Sequence, residues 1–328
     1  MSIRISVCIP NYNHGAVLDE TLASVFAADL SGVEVIVSDN ASTDESLEVI
    51  RRYAMYPAIT VLEQRQVMPM ARHWNTVAQA ARGEWLLLLS SDDLLLPGAL
   101  DILGTVVERA DVDAVFFEYD LLTDDGRRHK PAFYESSALI PGSVQSRIFL
   151  KGNNFPVSAC LSRRALLARQ GWFDESKAFC VDWHAWLHLA AAAESVAYIR
   201  EPLLLYRQHA ANETHRCIAE GGALDEVIAM KEAFMSAHDI TDAGIHRETM
   251  ANNLKLARMY AASAGVRGLE TVARHYADRI EQLSAALHDP GDTADPARLG
   301  PPYPLPEGAR PLELPVITGH PGQRAVER

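Results

Sequence analysis

Asp92 and Asp93 stand side by side in EWLLLLSSDDLLLPGAL, residues 84–100, an otherwise apolar run. Adjacent carboxylates repel, and burying them unpaired is costly, so a cation or a ligand is expected to meet them. Two more polar clusters end apolar runs in the same part of the chain. IPNYN (9–13) carries Pro10, Asn11 and Tyr12, and VSDNASTD (37–44) carries Asp39, Asn40 and Ser42. Any one of these clusters serves equally well as a turn or cap. Three in order, each at the end of a strand-like run, would converge on one crevice if the strands form a parallel sheet. His184 and His188 share a helical face at i, i+4, but no third metal ligand accompanies them, and they are read as helix-surface residues.

The surrounding elements support such a sheet. ISVCIP, VEVIVSD, ITVLEQ, EWLLLL and DAVFFEYDLL are short apolar runs with β character, and helical patterns separate the first five. Ser42 and Glu45 have capping-box spacing ahead of an amphipathic helix, and Pro97 opens another. Strands apolar on both faces, alternating with helices, predict a doubly wound, mostly parallel sheet covered on both sides. SSDD follows EWLLLL directly, so the aspartates belong at the sheet's mouth and not in its core. FPVSACLSRRALLARQG reads as strand then helix, DWHAWLHLAAAAE as helix, and VAYIREPLLLYRQH as strand. Residues 223–288 are helical in pattern. The remainder, from Asp289, holds nine of the 17 prolines and reads as disordered or loosely draped.

Bulk properties exclude several classes. A chain of 328 residues is long enough for a large core, and a net charge of −13 argues against nonspecific nucleic-acid binding. The four cysteines form no CxxC pair, which fits a reducing compartment and neither a zinc site nor a disulfide framework. No signal peptide is read at the N-terminus, and no apolar run approaches the about 20 residues of a membrane span. A cytoplasmic protein is expected, with peripheral contact at the inner face of a membrane left open.

PNYN, DNASTD, NTVAQAARGEW and SSDD, in this order, resemble the signatures of family 2 glycosyltransferases with the GT-A fold. GWFDE, VDW and YRQH look like the later signatures of that family. The resemblance covers about residues 3–215. It implies a GT-A-type sheet in a catalytic domain at 1–215, to which the helical pattern adds a C-terminal helical region at 216–288 and the composition a Pro-rich tail at 289–328. It also implies inverting transfer of a sugar from a nucleotide-diphosphate donor, UDP- or dTDP-type, to a sugar, lipid-linked or other hydroxyl acceptor in bacterial polysaccharide or glycoconjugate assembly.

By the same resemblance, Asp39 is the base-and-ribose contact, Pro10, Asn11 and Tyr12 form the other wall of the nucleotide pocket, and Asp92 contacts the ribose or backs the metal ligand. Asp93 and His209 belong to a Mn2+ or Mg2+ site, and Arg207 clamps phosphate. Such a metal would relieve the repulsion between the two aspartates and offset diphosphate charge. Many relatives begin the acidic motif with another aspartate. Ser90 stands there in this chain, which suggests metal binding that depends on the nucleotide. Asp182 matches the second acid of the family's base motif, with Val181 replacing the first. Val181 and Trp183 would raise its pKa and suit it to general-base work. Asn154, Ser158 and Trp183 are assigned to the acceptor side. Arg65 and Arg72 are read as exposed. Two other readings stay open: a non-catalytic nucleotide-sugar binder or assembly protein, with self-association through the C-terminal helices, and a sugar nucleotidyltransferase. Against the second, no Gly-rich basic loop follows the first strand.

Overall fold

The computed structural model describes residues 3–209, 213–287 and 302–314. The first half alternates strand and helix, as the apolar periodicity predicts. The order is β1 (Ile5–Asn11), α1 (Gly15–Phe26), β2 (Val33–Asp39), α2 (Ser46–Tyr53), β3 (Ile59–Glu63), α3 (Met70–Ala80) and β4 (Trp85–Leu88). A two-residue strand, β5 (Leu94–Leu95), leads to α4 (Ala99–Arg109) and β6 (Ala114–Thr123). DDG then makes a hairpin into β7 (Gly126–Arg128), with Gly126 at φ 104°, where a side chain would strain the turn. There follow β8 (Ala138–Pro141), α5 (Gly142–Phe149), β9 (Cys160–Arg163), α6 (Arg164–Arg169), α7 (Val181–Ala192) and β10 (Ser195–Arg207).

These strands form one sheet in the order β8-β10-β6-β9-β4-β1-β2-β3, extended by a last short strand, β11 (Arg310–Pro311), beside β8. Strands β3, β2, β1 and β4 are mutually parallel, and β10 is parallel to β6. β9 runs antiparallel between β4 and β6, so the parallel order is interrupted once in the middle. The apolar pattern locates that strand but carries no information on its direction. Both faces are covered. Leu18, Leu22 and Val25 of α1, Val77 and Ala78 of α3, Leu100 and Leu103 of α4, and Trp186 and Leu189 of α7 join the strand residues in one buried core.

The order of β1 beside both β2 and β4 brings the carboxyl ends of three parallel strands together, and that is where the polar clusters lie. Gly83, ahead of β4, is needed for close approach: a Cβ there would sit 2.6 Å from Ser6 Oγ. The buried Glu34 accepts from Ser6 Oγ at 2.6 Å and from the Arg82 backbone at 2.6 Å, locking the entry of β4 onto β1 and β2.

Helices α8 (Glu213–Glu220), α9 (Ala223–Ala237), α10 (Ala243–Val266) and α11 (Glu270–Leu287) follow. Ile218, Leu224, Ala257, Tyr260 and Tyr276 form a small core of their own. Val227, Met230 and Phe234 on α9 instead join the main core, so α9 belongs to both. Among the described residues no helix is long and apolar enough to cross a membrane.

Of the two readings of the tail, disordered or draped, residues 302–314 follow the draped one. Tyr303 packs edge-on against Phe133 at 5.1 Å and exchanges backbone hydrogen bonds with Phe133 and Glu135. β11 pairs with β8, which would otherwise be a bare sheet edge. Proline suits such an edge because it removes a donor that has no partner there. Residues 288–301 and 315–328, which hold the rest of that expectation, lie outside the described residues.

Candidate functional site

The strand ends open into a cleft of about 2830 Å³. Its lining includes Pro10, Asn11, Tyr12, His14, Asn40 and Met68 on one side. Asn11 at the end of β1 reaches across to β2. Its Nδ2 donates to Asp39 Oδ1 at 2.9 Å and to Ser42 Oγ at 3.2 Å. Asp39 Oδ2 accepts from the Ser42 backbone at 2.9 Å, and Asn13 Oδ1 accepts from the Thr43 backbone at 2.8 Å. This knot holds Asn13 (φ 54°) and Ala41 (φ 57°) in the left-handed region, where non-glycine residues need local support. Asn40 pairs reciprocally with the Met68 backbone at 2.9 and 3.0 Å, fixing the loop after β3 as a wall of the cleft.

Asp39 is 1% exposed and has both oxygens engaged by protein donors. It shapes the loop, and Asn40 lines the cleft in its place, contrary to the expected base-and-ribose contact. Pro10, Asn11 and Tyr12 do lie on the cleft wall.

Of the two aspartates Asp92 reaches the cleft and Asp93 does not, against the expectation that Asp93 is the metal ligand. Asp93 is 0% exposed, and its carboxylate faces inward. Oδ2 accepts from Ser158 Oγ at 2.7 Å and Oδ1 from the Arg207 backbone at 3.0 Å. Burial, and next the charge of Asp92, push its pKa well above the ordinary carboxylate range, against the pull of the Ser158 hydroxyl. It therefore anchors the motif and does not reach the cleft. Asp92 does line the cleft, with Oδ2 3.1 Å from His209 Nε2. Ser158 is also displaced from its expected acceptor role. Fully buried, it bridges the Ser90 backbone N–H, at 2.9 Å, to Asp93. Arg207 lines the cleft, but its Nε donates to the Asp92 carbonyl at 2.8 Å and its terminal nitrogen meets Glu20 at 2.8 Å.

One donor was not singled out by the motifs. His14, immediately before α1, brings a ring nitrogen beside Asp92 and His209, and one ligand atom from each of the three lies within 4.8 Å of the others. Nitrogen and oxygen ligands about 2.0–2.2 Å from a common ion are at most about 4.4 Å apart, so small side-chain adjustments suffice. The set fits a divalent cation. Its signal in the sequence is a single histidine directly after PNYN.

Asp182 lies on the cleft wall in the first turn of α7, as its helix-start position predicts. Burial lifts its pKa to about 6, opposed by hydrogen bonds from the Trp183 backbone, at 2.6 Å, and from the Asn153 side chain. Asn154 also lines the cleft, with Nδ2 on the Gly152 carbonyl at 3.1 Å. Trp183 also lines the cleft, but only by an edge: it is 4% exposed, its Nε1 donates to the Phe149 carbonyl at 2.7 Å and Lys231 Nζ lies over its ring at 4.5 Å.

The start of α7 is held from α9. Glu226 accepts from three consecutive backbone N–H groups, Ala178 at 2.9 Å and Phe179 and Cys180 at 2.8 Å each. Asn75 of α3 holds the preceding loop through the Phe173 backbone, donating and accepting at 2.9 Å. This gives the Asn of NTVAQAARGEW a physical reason. Arg65 and Arg72 are exposed, as read, although Val67, Met68, Pro69, Met70 and His73 between and beside them line the cleft. His184 and His188 differ from their reading as surface residues: the His188 ring packs on Phe234 of α9 at 5.1 Å, and the His184 ring lies 4.5 Å from that of His188.

The family model described as glycosyl transferase family 2 matches residues 6–169. An uncharacterized glycosyltransferase of Nostoc sp. is 28% identical over 221 residues, 64% of this chain and 66% of that relative. The matched stretches of this and two other curated relatives span 41–70% of their own lengths. The crystal structure of S. aureus TarS 1-349 in complex with UDP-GlcNAc superposes with a TM-score of 0.59 at 16% identity, covering 86% of this chain and 91% of that one. The mannosyltransferase PcManGT from Pyrobaculum calidifontis, in complex with GDP-Man and Mn2+, gives 0.55 at 19% identity over 88% of this chain and 82% of that one.

Proposed function

This chain belongs to glycosyl transferase family 2, and we propose that it transfers a sugar from a nucleoside-diphosphate donor to a hydroxyl acceptor with inversion at the anomeric carbon. The observation that carries the reading is the convergence of Asp92, His209 and His14 with Asp182 on one cleft at the strand ends. The fold likeness to proteins bound to UDP-GlcNAc and to GDP-Man with Mn2+ supports a nucleotide sugar as donor.

In this reading the nucleotide lies along Pro10, Asn11, Tyr12 and Asn40. A uridine or thymidine base follows from the family resemblance. A divalent cation held by Asp92, His209 and His14 would offset the charge that grows on the leaving diphosphate. Asp182 takes the proton from the acceptor hydroxyl as it attacks. With a pKa of about 6, it is mostly ionised at pH 7 and close enough to neutrality to serve as a base. The catalytic part is assigned to residues 1–215, with 216–288 packed on it, and the setting to bacterial polysaccharide or glycoconjugate assembly. Asn154 stays on the acceptor side.

The test is thermal stability with a panel of nucleoside diphosphates, each with and without Mn2+. A ligand that binds only the folded state raises the melting temperature according to its affinity. A metal-dependent shift with one nucleotide, followed by transfer from its sugar adducts, is the expected result. No shift with any nucleotide refutes the reading.

A further inference from the structure

We propose that His14 is a third protein ligand of the cleft cation, so that this chain binds Mn2+ before, and without, the nucleotide. The inference rests on the proposed metal-dependent transfer and deepens it by fixing the order of binding.

The acidic motif is poorer than the resemblance leads one to expect. Ser90 stands where many relatives carry a carboxylate, and Asp93 is withdrawn by Ser158 and the Arg207 backbone. Asp92 and His209 alone would offer two protein donors, too few for firm binding without help from a diphosphate. His14 makes good the deficit from a different strand end.

Its ring is already oriented. Nδ1 lies 2.8 Å from Ser91 Oγ, which leaves Nε2 for a metal. Ser91 is itself held, since Thr21 Oγ1 of α1 donates to its carbonyl at 3.0 Å. Anchoring one imidazole nitrogen so that the other can bind is the usual second layer around a metal-binding histidine. The His14 and His209 rings meet edge to face, with centroids 6.0 Å apart, and each brings a ligand atom within 4.8 Å of the Asp92 carboxylate.

Two imidazoles and one carboxylate also select among cations. Imidazole suits later first-row metals, whereas Mg2+ prefers oxygen donors and gives up water reluctantly. Mn2+ stands at the low end of the first-row order, so the nucleotide-free chain is expected to bind Zn2+ or Ni2+ more tightly than Mn2+, and Mn2+ more tightly than Mg2+.

The experiment is titration of the nucleotide-free full chain with MnCl2, followed by calorimetry and by electron paramagnetic resonance with detection of 14N coupling. Wild type should bind one Mn2+ with coupling to two imidazole nitrogens. His14→Ala and His14→Gln should weaken Mn2+ by about tenfold or more and leave one coupled nitrogen. Adding UDP should narrow the gap, because diphosphate oxygens replace the missing ligand. The pair of variants separates a lost ligand from a packing defect, and metal-free melting temperatures equal to wild type verify folding. Absence of Mn2+ binding without nucleotide, or equal binding and coupling in the variants, overturns the inference. These outcomes are distinct from failure of the functional reading: Mn2+ bound through His14 with no nucleotide shift would sink that reading alone, and a nucleotide shift that is insensitive to His14 would sink this one alone.

Discussion

Lys231 offers a sharp test of how the helical region meets the cleft. Its ammonium is 0% exposed, donates to Asn252 and Asn253 Oδ1 at 2.7 Å each, and lies over the Trp183 ring. Burial lowers its pKa from 10.5 to about 7, opposed by the nearby Cys180. Between pH 7 and 10.5 the unfolded chain thus holds the proton that the folded chain has given up. Stability contributed by this site rises with pH across that window, by about 1.4 kcal/mol per unit. From pH 7.5 to 9 the gain is about 2 kcal/mol. Lys231→Met lacks the titrating group, so the difference in unfolding free energy, wild type minus variant, should grow by that amount. The absolute difference at one pH is less informative, because two asparagine oxygens lose a donor at about 1–3 kcal/mol each while a buried charge is removed. Urea unfolding of both proteins at the two pH values reads the slope directly. Parallel pH dependence in wild type and variant would refute the reasoning, since it would mean that Lys231 titrates as it does in water.

Asp182→Asn should keep the metal-dependent nucleotide shift and lose transfer by about 10²–10⁴-fold. In the wild type the rate should fall about tenfold per pH unit below pH 6, as Asp182 takes up its proton, and a flat profile down to pH 4.5 would move the base elsewhere. Ser158→Ala strands the Ser90 N–H and one oxygen of buried Asp93, so a loss of about 1–3 kcal/mol is expected in urea unfolding. Glu226→Ala should open the segment ahead of α7. Maleimide should then label Cys180 while Cys8 and Cys160 stay protected, as read by mass spectrometry, and Glu226→Gln should restore most of the protection.

The strand ends were legible because apolar runs with β-branched residues stop at polar clusters, and their order along the chain matches the order in which the parallel strands meet. The direction of β9 was not, since hydrophobicity is the same read either way. The choice between Asp92 and Asp93 was also out of reach. A turn closes through Asp93 N–H to the Ser90 carbonyl, and neighbours in a turn can point to opposite sides. Which of them faces the cleft is decided by Ser158 and Arg207, distant in sequence. Ser158 reads as an acceptor group because of its motif context, whereas Asp93 and the Ser90 backbone bury it. His14 escaped notice because it is a lone residue whose meaning depends on two others more than 70 positions away.

The three N–H groups on Glu226 have a consequence for how the chain could be recombined. The strand-end wall of the cleft, Pro10, Asn11, Tyr12 and Asn40, comes from the first half of the sequence, but the segment before Asp182 is closed by a carboxylate from α9. A chimaera that joins residues 1–215 to a foreign helical partner would keep that wall with Asp92 and His209, but would lose Arg247, Asn252 and Lys255 of α10, which line the same cleft. It would keep the segment ahead of Asp182 closed only if the new partner brought its own carboxylate to the same three amides.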